Sequence, residues 1–189
     1  MHKYVKTLLL PVLAVSACAQ TAPEAQDNPM SAWLRNAYIG NRNTIVRTAE
    51  RMPEEFYDMR PGAQQEVRTF GQQVGHLANY NFLWCSQAKG EKNPNTANLE
   101  KLSTKAYFLK ALTDAFAFCE PVYAALTDAS GTQMVDITLE NGQQRRNLRL
   151  GLLTLNYGHN NEIYGSMVTY LRIKNIVPPA SEPRTGQKK

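Results

Sequence analysis

Histidine is scarce in this chain of 189 residues: there are three, His2, His76 and His159. Chemistry that needs several imidazoles therefore has few places to go. Cysteine is equally sparse, with Cys18, Cys85 and Cys119, too few for a disulfide-built scaffold. Long apolar runs are missing as well. The longest, Leu8 to Ala14, is too short to span a bilayer. No stripe of Lys and Arg is interleaved with aromatics, which excludes a nucleic-acid surface. The chain shows no internal repeat and no second domain, and its length suits one globular unit.

What the N-terminus does contain is an ordered series: Lys3 and Lys6, the apolar run, then small residues at Ser16, Ala17 and Ala19. That is the three-part pattern of an export signal over residues 1–19. Two cuts are open. Ala17-Cys18-Ala19 is an A-x-A site releasing a protein that begins at Gln20. Val15-Ser16-Ala17-Cys18 is also a lipobox, with cleavage after Ala17 leaving a lipid anchor on Cys18. Either places the protein outside the cytoplasm, in the periplasm or on the envelope. Without Lys3 and Lys6 the formal charge falls from +5 to +3, a mild excess spread along the chain.

Residues 20–27 read as a flexible tether, and 28–179 as an all-α domain. Asn28-Pro29 starts a first helix that runs to about Met52, with Leu34, Tyr38, Ile45, Ala49 and Met52 as its apolar stripe. Pro53 to Pro61 is a proline-bracketed connector whose Phe56 and Tyr57 fold back over one end of the core. A second helix spans about Ala63 to Lys89, with Val67, Phe70, Val74, Leu77, Asn81 and Trp84 in its seam. After a turn over Gly90 to Asn98, a third spans about Leu99 to Leu126, kinked near Pro121. Val135 to Glu140 alternates apolar and polar before Asn141-Gly142, the signature of a short hairpin. A fourth helix, about Leu148 to Ile176, ends at Pro178-Pro179, and residues 180–189 read as a disordered tail. These stripes predict a four-helix bundle with a short β-ribbon before the last helix. On alternating antiparallel helices Cys85 lies near a turn and Cys119 about twenty residues beyond it, roughly 25 Å away at 1.5 Å per residue. Two free, buried thiols are the expectation.

His159, Ile163, Met167 and Tyr170 share one side of the fourth helix, so an imidazole points at whatever that helix packs on. His76 lies one position off the seam of the second. If helices alternate in direction, the second and fourth run the same way, and the two histidines sit at equal depth, either to bind one metal ion or to serve as hydrogen-bonded residues beside the core. Zinc or nickel suits such ligands. Glu162, three residues after His159, offers a carboxylate beside the imidazole. Asn81 and Asn160 on inward faces either orient a ligand or cross-link helices. Arg145, Arg146 and Arg149 read as a solvated basic loop, the other reading being a receptor for an anionic substrate group.

The stretches PEEFYDMRP, FGQQVGHLANYNFLWC, HNNEIYG and YLRIKNIVPP together resemble the DinB-like superfamily of four-helix-bundle proteins, over about Trp33 to Pro179. In that family a metal site is built from one histidine of the second helix and an H-x-x-x-H pair of the fourth. His76 and His159 match two of these positions, and the third falls on Ile163, which cannot bind a metal. The resemblance implies a metal-dependent enzyme, a transferase acting on thiols or a hydrolase, with a small-molecule substrate. His76 and His159 would be the metal ligands, and Tyr80, Glu162 and Tyr164 would contact substrate or steer protons. It also implies a homodimer. The departure at Ile163 opens the other reading, a metal-free bundle that serves as a binding or structural module at the envelope.

Overall fold

The computed structural model describes residues 27–139 and 141–183. The export signal, the lipobox cysteine and all of the tether but Asp27 lie outside the described residues. Four long helices, α1 (Pro29–Arg51), α2 (Phe70–Lys89), α3 (Lys105–Ala124) and α5 (Arg149–Ile173), enclose the core. A single-turn helix α4 (Asp128–Gly131) and the hairpin of β1 (Met134–Thr138) and β2 (Gln144–Leu148) join α3 to α5. The bundle and ribbon read from the sequence are both present.

α2 starts later than its apolar stripe suggests, because a capping box sets its first turn. The Thr69 hydroxyl accepts from the Gln72 amide and the Gln72 side chain accepts from the Thr69 amide, satisfying two donors that an abrupt helix start leaves open. α1 is capped differently from expectation. Asn28 makes no side-chain cap to its own helix. Asp128 of α4 accepts from the Ser31 and Met30 amides at 2.7 and 3.2 Å, while the Asn28 side chain accepts from the Asp128 amide. A long-range carboxylate thus ties the start of α1 to the start of α4. In the first connector, Tyr57 is buried and donates to the Ala49 carbonyl, as its fold-back position requires. Val135 and Ile137 of β1 turn into the core, opposite a polar β2.

The helices do not alternate in direction. Phe108 lies against Gly71 and Phe118 against Phe82, so α2 and α3 run parallel. Tyr38 donates to the Phe116 carbonyl while Lys105 reaches the Glu50 and Met52 carbonyls, which makes α1 antiparallel to α3. Phe70 meets Tyr170 and Asn81 meets Asn156, so α5 is antiparallel to α2. The reason is the stretch Gly90 to Thr104. It is no tight turn but a strand of chain that travels back along α2, delivering α3 beside the start of α2.

That reversal corrects the expectation of two free thiols. With α2 and α3 parallel, Cys85 and Cys119 reach the same level, 5.4 Å apart between Cα atoms, and form a disulfide in the core. Of the expected tail, residues 184–189 lie outside the described residues, and its start is ordered. Pro179–Ser181 forms a helical turn, and Glu182 pairs with Arg47 and Arg51 on α1.

Two outcomes follow from this architecture. Reduction, or the double variant Cys85→Ala with Cys119→Ala, should cost about 2–4 kcal/mol in chemical denaturation, as expected for a cross-link closing 34 residues. Hydrogen bonds from the Ser31 amide and hydroxyl, opposed by partial burial, hold the Asp128 carboxylate below the usual aspartate range. A depressed folded-state pKa stabilises above the unfolded value and is lost as pH falls through the folded one. The melting temperature of Asp128→Asn should therefore fall below wild type at neutral pH and converge with it below about pH 4.

Candidate metal centre

Behind the site stands a buried cluster of amides. The Asn81 side chain donates to the Leu77 carbonyl and to Asn160, and its oxygen accepts from Asn156 and Asn160 at 3.1 and 3.2 Å. Tyr123 closes the network on Asn156 and the Leu153 carbonyl, and Cys119 rests against the Asn81 carbonyl. The cluster is internally satisfied, so Asn81 and Asn160 cross-link helices. They fix the register of α5 on α2, and with it the level of their neighbours Tyr80 and His159.

His76 and His159 meet, with ring centres 5.0 Å apart and planes at 62°. They meet although the helices run in opposite directions, because each lies near the middle of the shared contact. Tyr80 packs against both rings at 4.6 and 5.0 Å, and Trp84 stands edge-on to His159 at 5.0 Å. His159 therefore sits in an aromatic box. Its Nδ1 faces Glu162 at 3.4 Å, while its Nε2 is buried with no hydrogen-bond partner. Burial, reinforced by the charge of His76, holds the His159 imidazole below the usual histidine range; Glu162 opposes this without reversing it. A neutral imidazole with an unused nitrogen is the form that ligates a metal or accepts a proton.

The other carboxylate at the site went unseen in the sequence. Glu100 Oε1 lies 2.7 Å from His76 Nδ1, and its Oε2 accepts from Arg68 Nε at 2.8 Å. Burial alone would raise the Glu100 carboxyl; the hydrogen bonds and charges of Arg68 and His76 outweigh it and lower the value. The signal that could have found Glu100 is Gly75, directly before His76, since glycine inside a helix marks a close backbone approach. Of the expected substrate-contacting residues, Tyr80 lines the site and Glu162 lies at its rim, 74% exposed. Tyr164 does not belong to it. Five residues past His159, it turns toward the C-terminal segment and the Ala180 backbone. The Arg145, Arg146 and Arg149 cluster is also elsewhere: Arg149 donates to the Ala88 carbonyl at the far end of α2. An open groove of about 450 Å³, lined by Asn79, Tyr80, Leu83, Asn95, Asn98 and Glu100, adjoins the histidines.

Residues 37–160 match the model of the DinB superfamily. The chain belongs to that superfamily. Among solved structures it is similar to a DinB-like protein, YjoA, from Bacillus subtilis, with 15% identity and a TM-score of 0.60. The likeness covers 81% of this chain and 99% of that one, and at this identity it speaks for the fold. No curated protein sequence matches the chain.

Superfamily members are often metal-associated, so the residues present must be tested against an ion. Among the described residues no three His, Cys, Asp or Glu side chains form a ligand cluster, and Ile163, one turn beyond His159, is buried and apolar. Two imidazoles do fit. Imidazole nitrogens on two rings that meet edge to face are donors of the type zinc and nickel take. The ring centres are 5.0 Å apart, and the buried Nε2 of His159 is a donor atom without a partner.

If His159 is retained for its chemistry and not for packing, its unpaired nitrogen is a stability cost. His159→Phe should fill the aromatic box and melt at the wild-type temperature or above it, by thermal denaturation of metal-free protein.

Proposed function

We propose that this DinB-superfamily protein is a metal-dependent enzyme acting on a small molecule, with His76 and His159 as its two protein ligands for zinc or nickel. The observation that carries this reading is the meeting of the two rings, one of which holds a buried, unpartnered Nε2. His76 has Nδ1 engaged by Glu100, so its Nε2 is the nitrogen left for the ion. When bound, the ion supplies Lewis acidity to a thiol or water nucleophile, the chemistry of a transferase or hydrolase. Tyr80, packed on both imidazoles and lining the groove, touches the substrate and moves its protons. Trp84 excludes water from one side of His159. Glu162, close to His159 Nδ1 and open to solvent, orients that ring and exchanges protons with bulk water.

We further propose that the protein acts after export, with or without a lipid anchor at Cys18. The Cys85–Cys119 bond supports this, since structural disulfides persist in oxidising compartments. Cytosolic thiol cosubstrates are scarce there, which favours water as the nucleophile. A homodimer fits the family resemblance, and neither membrane insertion nor nucleic-acid binding is part of the proposal. Ile163 supports the second reading: it deprives the site of a third ligand, as expected of a metal-free binding module at the envelope.

The deciding measurement is metal content by plasma mass spectrometry of the chain from Gln20, made without a histidine tag. Near-stoichiometric zinc or nickel should be present, be lost in His76→Ala and in His159→Ala, and be largely kept in Glu162→Ala. Protein that stays metal-free after incubation with either ion belongs to the second reading.

A further inference from the structure

We infer that Glu100, braced by Arg68, is a positioning residue that locks His76 in the tautomer with Nδ1 protonated and Nε2 turned to the site. A Cβ on Gly75 would lie 2.3 Å from the Leu99 carbonyl oxygen and 2.9 Å from the Glu100 Cα, so the returning connector rests directly on α2, one residue before His76. No other residue type permits that approach. The connector is then pinned: the Leu99 amide donates to Asn79 Oδ1 at 3.2 Å, and the Glu100 amide to Asn98 Oδ1 at 3.0 Å. Arg68, just ahead of the Thr69 cap, has its carbonyl bound by the Tyr170 hydroxyl of α5, which holds its guanidinium in place against Glu100. The chain Arg68, Glu100, His76 thus draws on the connector, α2 and α5 together.

An ionised carboxylate only accepts, so the nitrogen 2.7 Å from it must carry the proton. In the neutral ring, Nε2 of His76 is then left with its lone pair. His159 lacks an equal restraint, because its Nδ1 is 3.4 Å from an exposed Glu162. The two imidazoles are therefore unequal, one fixed and one adaptable. Outer carboxylates of this kind orient ligating histidines and strengthen them as donors. This part of the inference rests on the proposed metal reading, whereas the tautomer does not.

The test uses the chain from Gln20, uniformly labelled with ¹⁵N and freed of metal. Long-range ¹H–¹⁵N spectra of the imidazoles at a pH where both are neutral should show His76 protonated on Nδ1. Glu100→Ala should shift it toward the Nε2-protonated form, and Glu100→Gln, which keeps an acceptor, should retain most of the wild-type pattern. Gly75→Ala, which displaces the connector and leaves Glu100 in the chain, should act like Glu100→Ala. Zinc affinity by competition with a chromophoric chelator should fall about 10–100-fold in Glu100→Ala. A His76 tautomer unchanged in folded Glu100→Ala and Gly75→Ala overturns the inference, even if zinc binding weakens. Wild-type protein that binds no zinc, but shows the tautomer shift, upholds the lock and removes the metal reading.

Discussion

Everything distinctive in this bundle depends on a backbone contact at a glycine. Where the connector between α2 and α3 crosses Gly75, no side chain separates the two main chains, and the connector returns along α2 instead of turning away. Gly71, one turn earlier, admits the Phe108 ring of α3, with which a Cβ would collide. From this close approach follow the parallel packing of α2 on α3, the juxtaposition of Cys85 with Cys119, and the delivery of Glu100 to His76. A bulkier residue at Gly75 would lift the connector away. The helices could still bury their stripes, but the site would lose its carboxylate.

The two sides of the histidine pair are built from different physics. Behind it, the Asn81, Asn156 and Asn160 cluster satisfies itself, which makes it rigid and gives α5 a single register on α2. In front, polarity is left open: a buried imidazole nitrogen has no partner, beside aromatic faces that repel water. A closed network next to an open one is the arrangement expected where a fold holds a reactive group still without neutralising it. Ile163, buried and apolar one turn beyond His159, leaves that opening with no third polar side chain from the same helix face.

Much of the fold was legible from one-dimensional signals. Apolar residues three and four apart marked the helices of the bundle, and Asn141-Gly142 with the alternation before it marked the hairpin. His76 and His159 were legible as a pair because each sits on or beside an inward face. The equal depth that pairs them on alternating helices does not hold, because α2 and α5 run in opposite directions. They meet nonetheless, since residues near the middle of two packed helices face each other in either direction. The caps were less legible. Asn28 and Thr69 are both competent caps by type, yet Thr69 closes its own helix and α1 is closed from α4 by Asp128.

By itself the sequence determined the residue types and their faces: which positions are buried, where proline and glycine interrupt, and which histidines turn inward. These follow from local geometry, the 3.6-residue period and the backbone freedom of single residues. Only the tertiary structure decided helix direction, the disulfide, the exclusion of Tyr164 and the entry of Arg68 and Glu100. All but the placing of Tyr164 depend on the path of Gly90 to Thr104. A connector of that length is long enough either to turn or to return, and the choice rests on contacts between residues far apart in the chain.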